Sequence, residues 1–174
     1  MNEKMNENVK PLKWHKFMIY FALWARAIFG FCNALFFAGG LHYTNPRTGF
    51  PDRSVRDRLY DLFPSIKRID LAYFVMLIIL SLYIIYIRFQ LARFRKGAPK
   101  KLLSFYMAEF ITFLAYVLCY AMVITSQLIN LGHPDVAEQV WHFVGESLWN
   151  LLPIVIMFFI NKKYYDNRKE LFVN

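Results

Sequence analysis

Ionisable side chains inside long apolar stretches are where this sequence could do chemistry, and three stand out: Arg26, Glu109 and Glu146. A charge in a hydrocarbon layer costs at least about 2.5 to 3.5 kcal/mol, so each of these needs a partner or a role. At about 1.5 Å of rise per residue, Arg26 lies about 14 Å past Phe17 and Glu109 about 10 Å past Leu102. The similar depths predict an ion pair between the first and third apolar stretches. Two readings of that pair stay open: a bidentate contact that fixes how the helices pack, or a proton or ion relay.

His142, Glu146 and Asn150 follow one another at spacings of four, which puts them on one face of the last apolar stretch, with Pro153 a turn beyond. That face reads as a packing stripe, as the lining of a path for a small polar substrate or protons, or as part of a metal site. Two ligands do not complete a metal site, and the other histidines in reach, His42 and His133, fall in loops, so no metal or cofactor is expected. Asn33, at about the depth of Glu146, is the expected partner of that carboxylate. Tyr116, Tyr120, Trp141 and Trp149 read as core or lipid-facing aromatics. Cys32 and Cys119 belong to no C-x-x-C pair and are expected to be buried free thiols. No phosphate-binding glycine loop, nucleophile elbow or hydrolase-type carboxylate pair occurs, so no catalytic residue is assigned and an enzyme is not expected.

The elements that must position these groups follow from composition. Hydrophobic residues make up 57% of the 174, above the roughly 45 to 50% of soluble domains, and they gather in four stretches, 17–41, 71–87, 102–128 and 140–160. A span needs about 20 apolar residues, so the fold predicted is all-α: a polytopic four-helix transmembrane bundle. The second stretch is short and is extended by a snorkelling Arg88 with Phe89 at headgroup level. The first is too long for a signal-peptide core. Residues 1–12 are expected to be a flexible segment and 13–174 a single membrane domain. In the first loop, Ser54 to Phe63 reads as a short amphipathic external helix that lies on the surface as a lid. It is capped by Ser54 with Asp57, carries Val55, Leu59, Leu62 and Phe63 on one face, and ends at Pro64. The Gly97-Ala98-Pro99 turn makes the second and third spans an antiparallel hairpin.

The 21 basic residues report topology rather than nucleic acid. Four precede the first span, six lie in the loop 88–101 and four follow residue 160, fourteen together against six in the loop 42–68. By the positive-inside rule both termini are cytoplasmic in a multi-pass protein of the cell membrane. The basic loop should attract anionic lipid headgroups at about 1 kcal/mol per charge.

The segments Lys13-Trp14-His15-Lys16-Phe17 and Arg88-Phe89-Gln90-Leu91-Ala92-Arg93-Phe94, the Gly97-Ala98-Pro99 turn, and the end from Tyr164-Tyr165 to Leu171-Phe172-Val173-Asn174 carry a family resemblance. The chain resembles uncharacterised small four-helix integral membrane proteins of Gram-positive gut bacteria, some of which bear a zinc ribbon before the membrane part. No cysteine precedes Cys32, so no zinc ribbon is implied here, and the resemblance brings no activity with it. Two functions are expected: a non-enzymatic membrane component that binds a partner protein or forms a homo-oligomer, and, as the alternative, a small transporter or conductance subunit using the His142, Glu146 and Asn150 face.

Overall fold

The computed structural model describes residues 12–43, 48–130, 140–141 and 144–172. These form helices α1 (Lys13–Ala38), α2 (Arg53–Leu62), α3 (Pro64–Ala92), α4 (Ala98–Asn130) and α5 (Val144–Asp166), with no strand among the described residues. All but α2 are long and apolar enough to cross a membrane. The chain is an all-α multi-pass membrane protein, an up-and-down bundle in which α1 packs on α3, α3 on α4 and α4 on α5. The first turn of α1 and the segment after α5 meet at one end of the bundle, here called the terminal end. There His15 of α1 stacks on Phe94 at 4.8 Å and stands edge-on to Phe172 at 5.9 Å. Helix α2 lies at the opposite end.

Span boundaries differ from an apolar count where polar residues continue a helix. Helix α3 starts at Pro64 rather than near Leu71 and has 29 residues, about 43 Å of rise. Proline suits the first helical position because its missing N–H would be unbonded there anyway, and Ser65, Lys67, Arg68 and Asp70 complete turns that stand outside the apolar stretch. Arg88 does not simply reach for the headgroups. Its Nε donates to the Ile19 carbonyl at 3.0 Å, within a π-helical turn of α1, Met18–Ala22, and its guanidinium covers Trp24 at 5.1 Å.

Helix α2 is capped by Asp52 rather than Ser54: the extended Asp52 accepts from the Ser54 backbone N–H at 2.9 Å, while Ser54 is already helical. Its inner face places Val55, Leu59 and Tyr60 against Tyr43, Phe63 and Ile66. Leu62, expected on that face, is 67% exposed. Pro64 holds Phe63 extended at φ −132°, and it is Phe63 that turns inward.

The apolar core fills the terminal half, where Met18, Leu23, Ile84, Ile87, Leu91 and Leu102 are at most 2% exposed. Helices α1 and α3 approach most tightly at Gly30, where a Cβ would overlap the Ser81 hydroxyl. Ala27 and Ala34, each 1% exposed, flank the crossing. Small residues let backbones approach, which is how helices associate in lipid without a hydrophobic driving force. Cys32 and Cys119, expected to be buried, are unpaired and exposed on the bundle surface. A thiol behaves as a small hydrophobe, so acyl chains can serve it as well as a protein core.

Candidate functional site

Toward α2 the core gives way to a cleft of about 370 Å³ lined by all four spans. At the terminal end α1 and α5 are tied together: Trp14 Nε1 donates to Asn161 Oδ1 at 3.1 Å, and the His15 backbone N–H donates to Tyr164 OH at 3.2 Å. Farther along, the two helices line clefts instead of packing. Arg26 and Glu109 meet inside the central cleft, Nη2 on Oε1, with side chains 39% and 20% exposed. Only one leg of the fork is made. Arg26 Nε and Glu109 Oε2 are enclosed and have no hydrogen-bond partner among the described residues.

Asn33 and Asn150 stand exposed in the lining of this cleft, one from α1 and one from α5. The partner expected for Asn33 was Glu146; the residue that shares the cleft with it is Asn150, and Glu146 lies outside the lining, exposed on α5. The physical reason is Pro153. It cannot donate to the Trp149 carbonyl, and residues Trp149–Leu151 tighten into a 3-10 turn. Rotation per residue rises there from about 100° to about 120°, so a single α-helical face through Glu146 and Asn150 is not kept. His142, the first member of that expected stripe, lies outside the described residues. No group of three or more His, Cys, Asp or Glu placed to hold a metal occurs among the described residues.

A charged group that span counting overlooks gathers four hydrogen-bonding side chains. Asp70 is 4% exposed. Its Oδ2 accepts from Tyr43 OH at 2.6 Å and Tyr60 OH at 2.7 Å and lies 3.3 Å from His42 Nε2; its Oδ1 accepts from Tyr116 OH at 3.2 Å. The segment leaving α1, the surface helix α2, and α4 are thus all fastened to one carboxylate on α3. Burial first, and then the bond to Asp70, push the hydroxyl pKa of Tyr43 and of Tyr60 well above the ordinary range, so both stay neutral donors. Beside the hub, a second cleft of about 410 Å³ opens between α2 and α3, with Arg56, Lys67 and Phe74 in its walls.

Tyr116, expected as a core or lipid-facing aromatic, connects the two sites. Its ring stacks at 4.2 Å on Tyr73, which also lines the central cleft. The signal for the hub was present in the sequence as a carboxylate directly abutting an apolar stretch, with Tyr43 and Tyr60 in the neighbouring loop segments; Tyr116, midway along α4, gave no such signal. Tyrosines near a span end are also what an interfacial aromatic belt looks like, and that reading conceals them. Comparison with family models, with curated proteins and with solved structures gives no match to this chain.

Proposed function

We propose that the protein is a non-enzymatic component of the cell membrane, with both termini in the cytoplasm, that binds a membrane partner or assembles with itself through the cleft between α1 and α5. The observation that carries this reading is the exposure of the Arg26 and Glu109 pair. Arg26 lies midway along α1, where acyl chains offer no hydrogen bond and an incompletely bonded charge is costly. The enclosed Nε and Oε2 are out of a neighbour's reach, but the exposed part of the pair is not, and there a polar group from a neighbouring chain supplies what lipid cannot. The basic segments before α1 and between α3 and α4 would hold the protein against anionic headgroups.

The test is association in lipid. Replacing both charges, Arg26→Leu with Glu109→Leu, should abolish co-purification and cross-linking of neighbouring chains from native membranes while leaving helix content unchanged. Retained association would refute the reading.

A second reading is a small transporter or conductance subunit; of the face expected to serve it, Asn150 lines the cleft and Glu146 does not, and the stacked Tyr73 and Tyr116 that join the cleft to Asp70 support it. The packed core below the cleft counts against a through-path in one copy. In proteoliposomes, proton or solute flux that Glu109→Gln abolishes would favour transport; flux indistinguishable from protein-free vesicles would exclude it.

A further inference from the structure

We infer that the occupant of the cleft is a second copy of this chain, related by a two-fold axis, with Asn33 of each copy against Asn150 of the other. This rests on the partner-binding reading above and names the partner. Charge comes first. Arg26 and Glu109 neutralise one another in the cleft, so a lipid phosphate or an ionic solute finds no surplus charge to meet. What the cleft presents outward is a pair of carboxamides, Asn33 and Asn150, both exposed. A carboxamide carries two donor hydrogens and an acceptor oxygen with two lone pairs. Within lipid, another carboxamide is the group that returns both kinds of bond, and polar contacts of this kind hold helices together there.

Geometry then selects the source of that amide. In a two-fold interface, if one residue of the first copy meets a second residue of its partner, the reverse contact is made as well. A second copy therefore brings one amide from α5 and one from α1 to the two that the cleft presents, and no residue beyond these four is needed. Laying α1 of one copy along α5 of the other covers both clefts at once. The flanks suit it: Phe29 and Trp149 are 71% and 74% exposed, and Phe36 and Leu152 are 40% and 48% exposed. These are large apolar side chains beside each amide, able to exclude lipid around the contact.

The experiment uses the full chain in lipid vesicles at high dilution. Cys32 and Cys119, both exposed and unbonded, are replaced by serine, and Phe29→Cys, one turn before Asn33 in the same cleft, carries a benzophenone photocross-linker. Irradiation should give a covalent dimer whose adducts map to 145–156 of the other copy, and fluorescently labelled protein should bleach in two steps. Asn150→Leu should reduce the adduct at least tenfold, whereas Asn150→Gln should restore it. Adducts to lipid alone, with one-step bleaching, overturn the second copy; if the probe then captures a different chain in native membranes the partner-binding reading survives, and if it captures none that reading falls too. A dimer whose adducts map elsewhere overturns the asparagine pairing.

Discussion

Replacing Asp70 by alanine should release α2 from the bundle without melting the bundle itself. A hydrogen bond to a charged acceptor contributes about 1.5 to 3 kcal/mol, and the one that α2 itself makes, from Tyr60 at 2.7 Å, is lost directly from its docking. The bond from Tyr43 at 2.6 Å holds the segment on which α2 packs and is left out of that figure, as are the longer contacts to Tyr116 and His42. None of the ten residues of α2 is buried, and its remaining hold is the partly buried packing of Val55 and Leu59 with the contact of Arg56 to the Gly39 carbonyl. At about 1.4 kcal/mol per factor of ten, docking should weaken by about one to two powers of ten. Hydrogen exchange in lipid nanodiscs reads this directly, because amide protection follows the local opening equilibrium. Exchange across 53–62 should accelerate at least tenfold in Asp70→Ala while the amides of 98–120 in α4 keep their rates. Tyr60→Phe, which removes one of the two short bonds, should produce a smaller acceleration of the same segment. Protection of α2 within threefold of the unaltered protein would refute the idea that this carboxylate is its anchor. Uniform acceleration through α4 would refute the local character of the attachment.

Glu109→Ala leaves the Arg26 guanidinium without its counterion and should lower the thermal midpoint in detergent. Arg26→Leu with Glu109→Leu should recover most of the loss, since an apolar replacement for an ion pair is often neutral; a double variant no better than the single one would mean that the two charges are not coupled. Gly30→Val sets a side chain against Ser81 and should cost about 1 to 3 kcal/mol by overpacking, partly recovered by Ser81→Gly, with unfolding midpoints as the measure. The tyrosines of the hub have raised hydroxyl pKa values in the folded state, so their contribution is complete below the usual tyrosine value of about 10 and is lost only as pH climbs beyond it. Phenolate absorbance should therefore show these two ionising late, and Asp70→Ala should bring both back toward the ordinary range. Phe94, at φ 49°, spends about 1 to 2 kcal/mol on a left-handed backbone and contributes a ring stacked on His15. Phe94→Ala, which keeps the backbone cost and loses the ring, should thus destabilise more than Phe94→Gly.

The features legible in the sequence and those hidden from it divide along physical lines. Four spans follow from the length of the apolar stretches, because no other environment accepts such stretches. The approach of Arg26 to Glu109 follows from counting rise along two helices, because equal depth lets a long guanidinium reach a carboxylate across the bundle. The start of α3 does not follow, because helix formation continues through Lys67, Arg68 and Asp70 while hydropathy does not. With that boundary misplaced by about two turns, Asp70 reads as a loop residue and its hub is invisible. Pairing Asn33 with Glu146 fails for a related reason: periodicity assumes one rotation per residue throughout a span, and Pro153 changes it just before Asn150. The burial expected for Cys32 and Cys119 fails because lipid and core are equally acceptable to a thiol, so sequence gives no preference between them.

The same irregularities account for where the cleft lies. Helices α1 and α5 are held together at the terminal end by Trp14 with Asn161 and by His15 with Tyr164, and two regular helices so tied would pack along their whole length. Each instead carries a non-α turn: Met18–Ala22 in α1, one turn before Arg26, and Trp149–Leu151 in α5, beside the cleft itself. Wide and tight turns alter the direction and rotation of the adjoining helix. The apolar core runs through both turns, with Met18, Ile19 and Leu151 inside them, and the polar groups of α1 that line the cleft, Arg26 and Asn33, lie beyond its π-helical turn. Substitutions in the core should consequently change stability with little effect on association, whereas substitutions at Arg26, Asn33, Glu109 or Asn150 should change association first. Regularising α5 with Pro153→Ala would narrow the opening, and loss of dimer cross-linking in a variant of undiminished stability would tie the cleft to the turn that creates it.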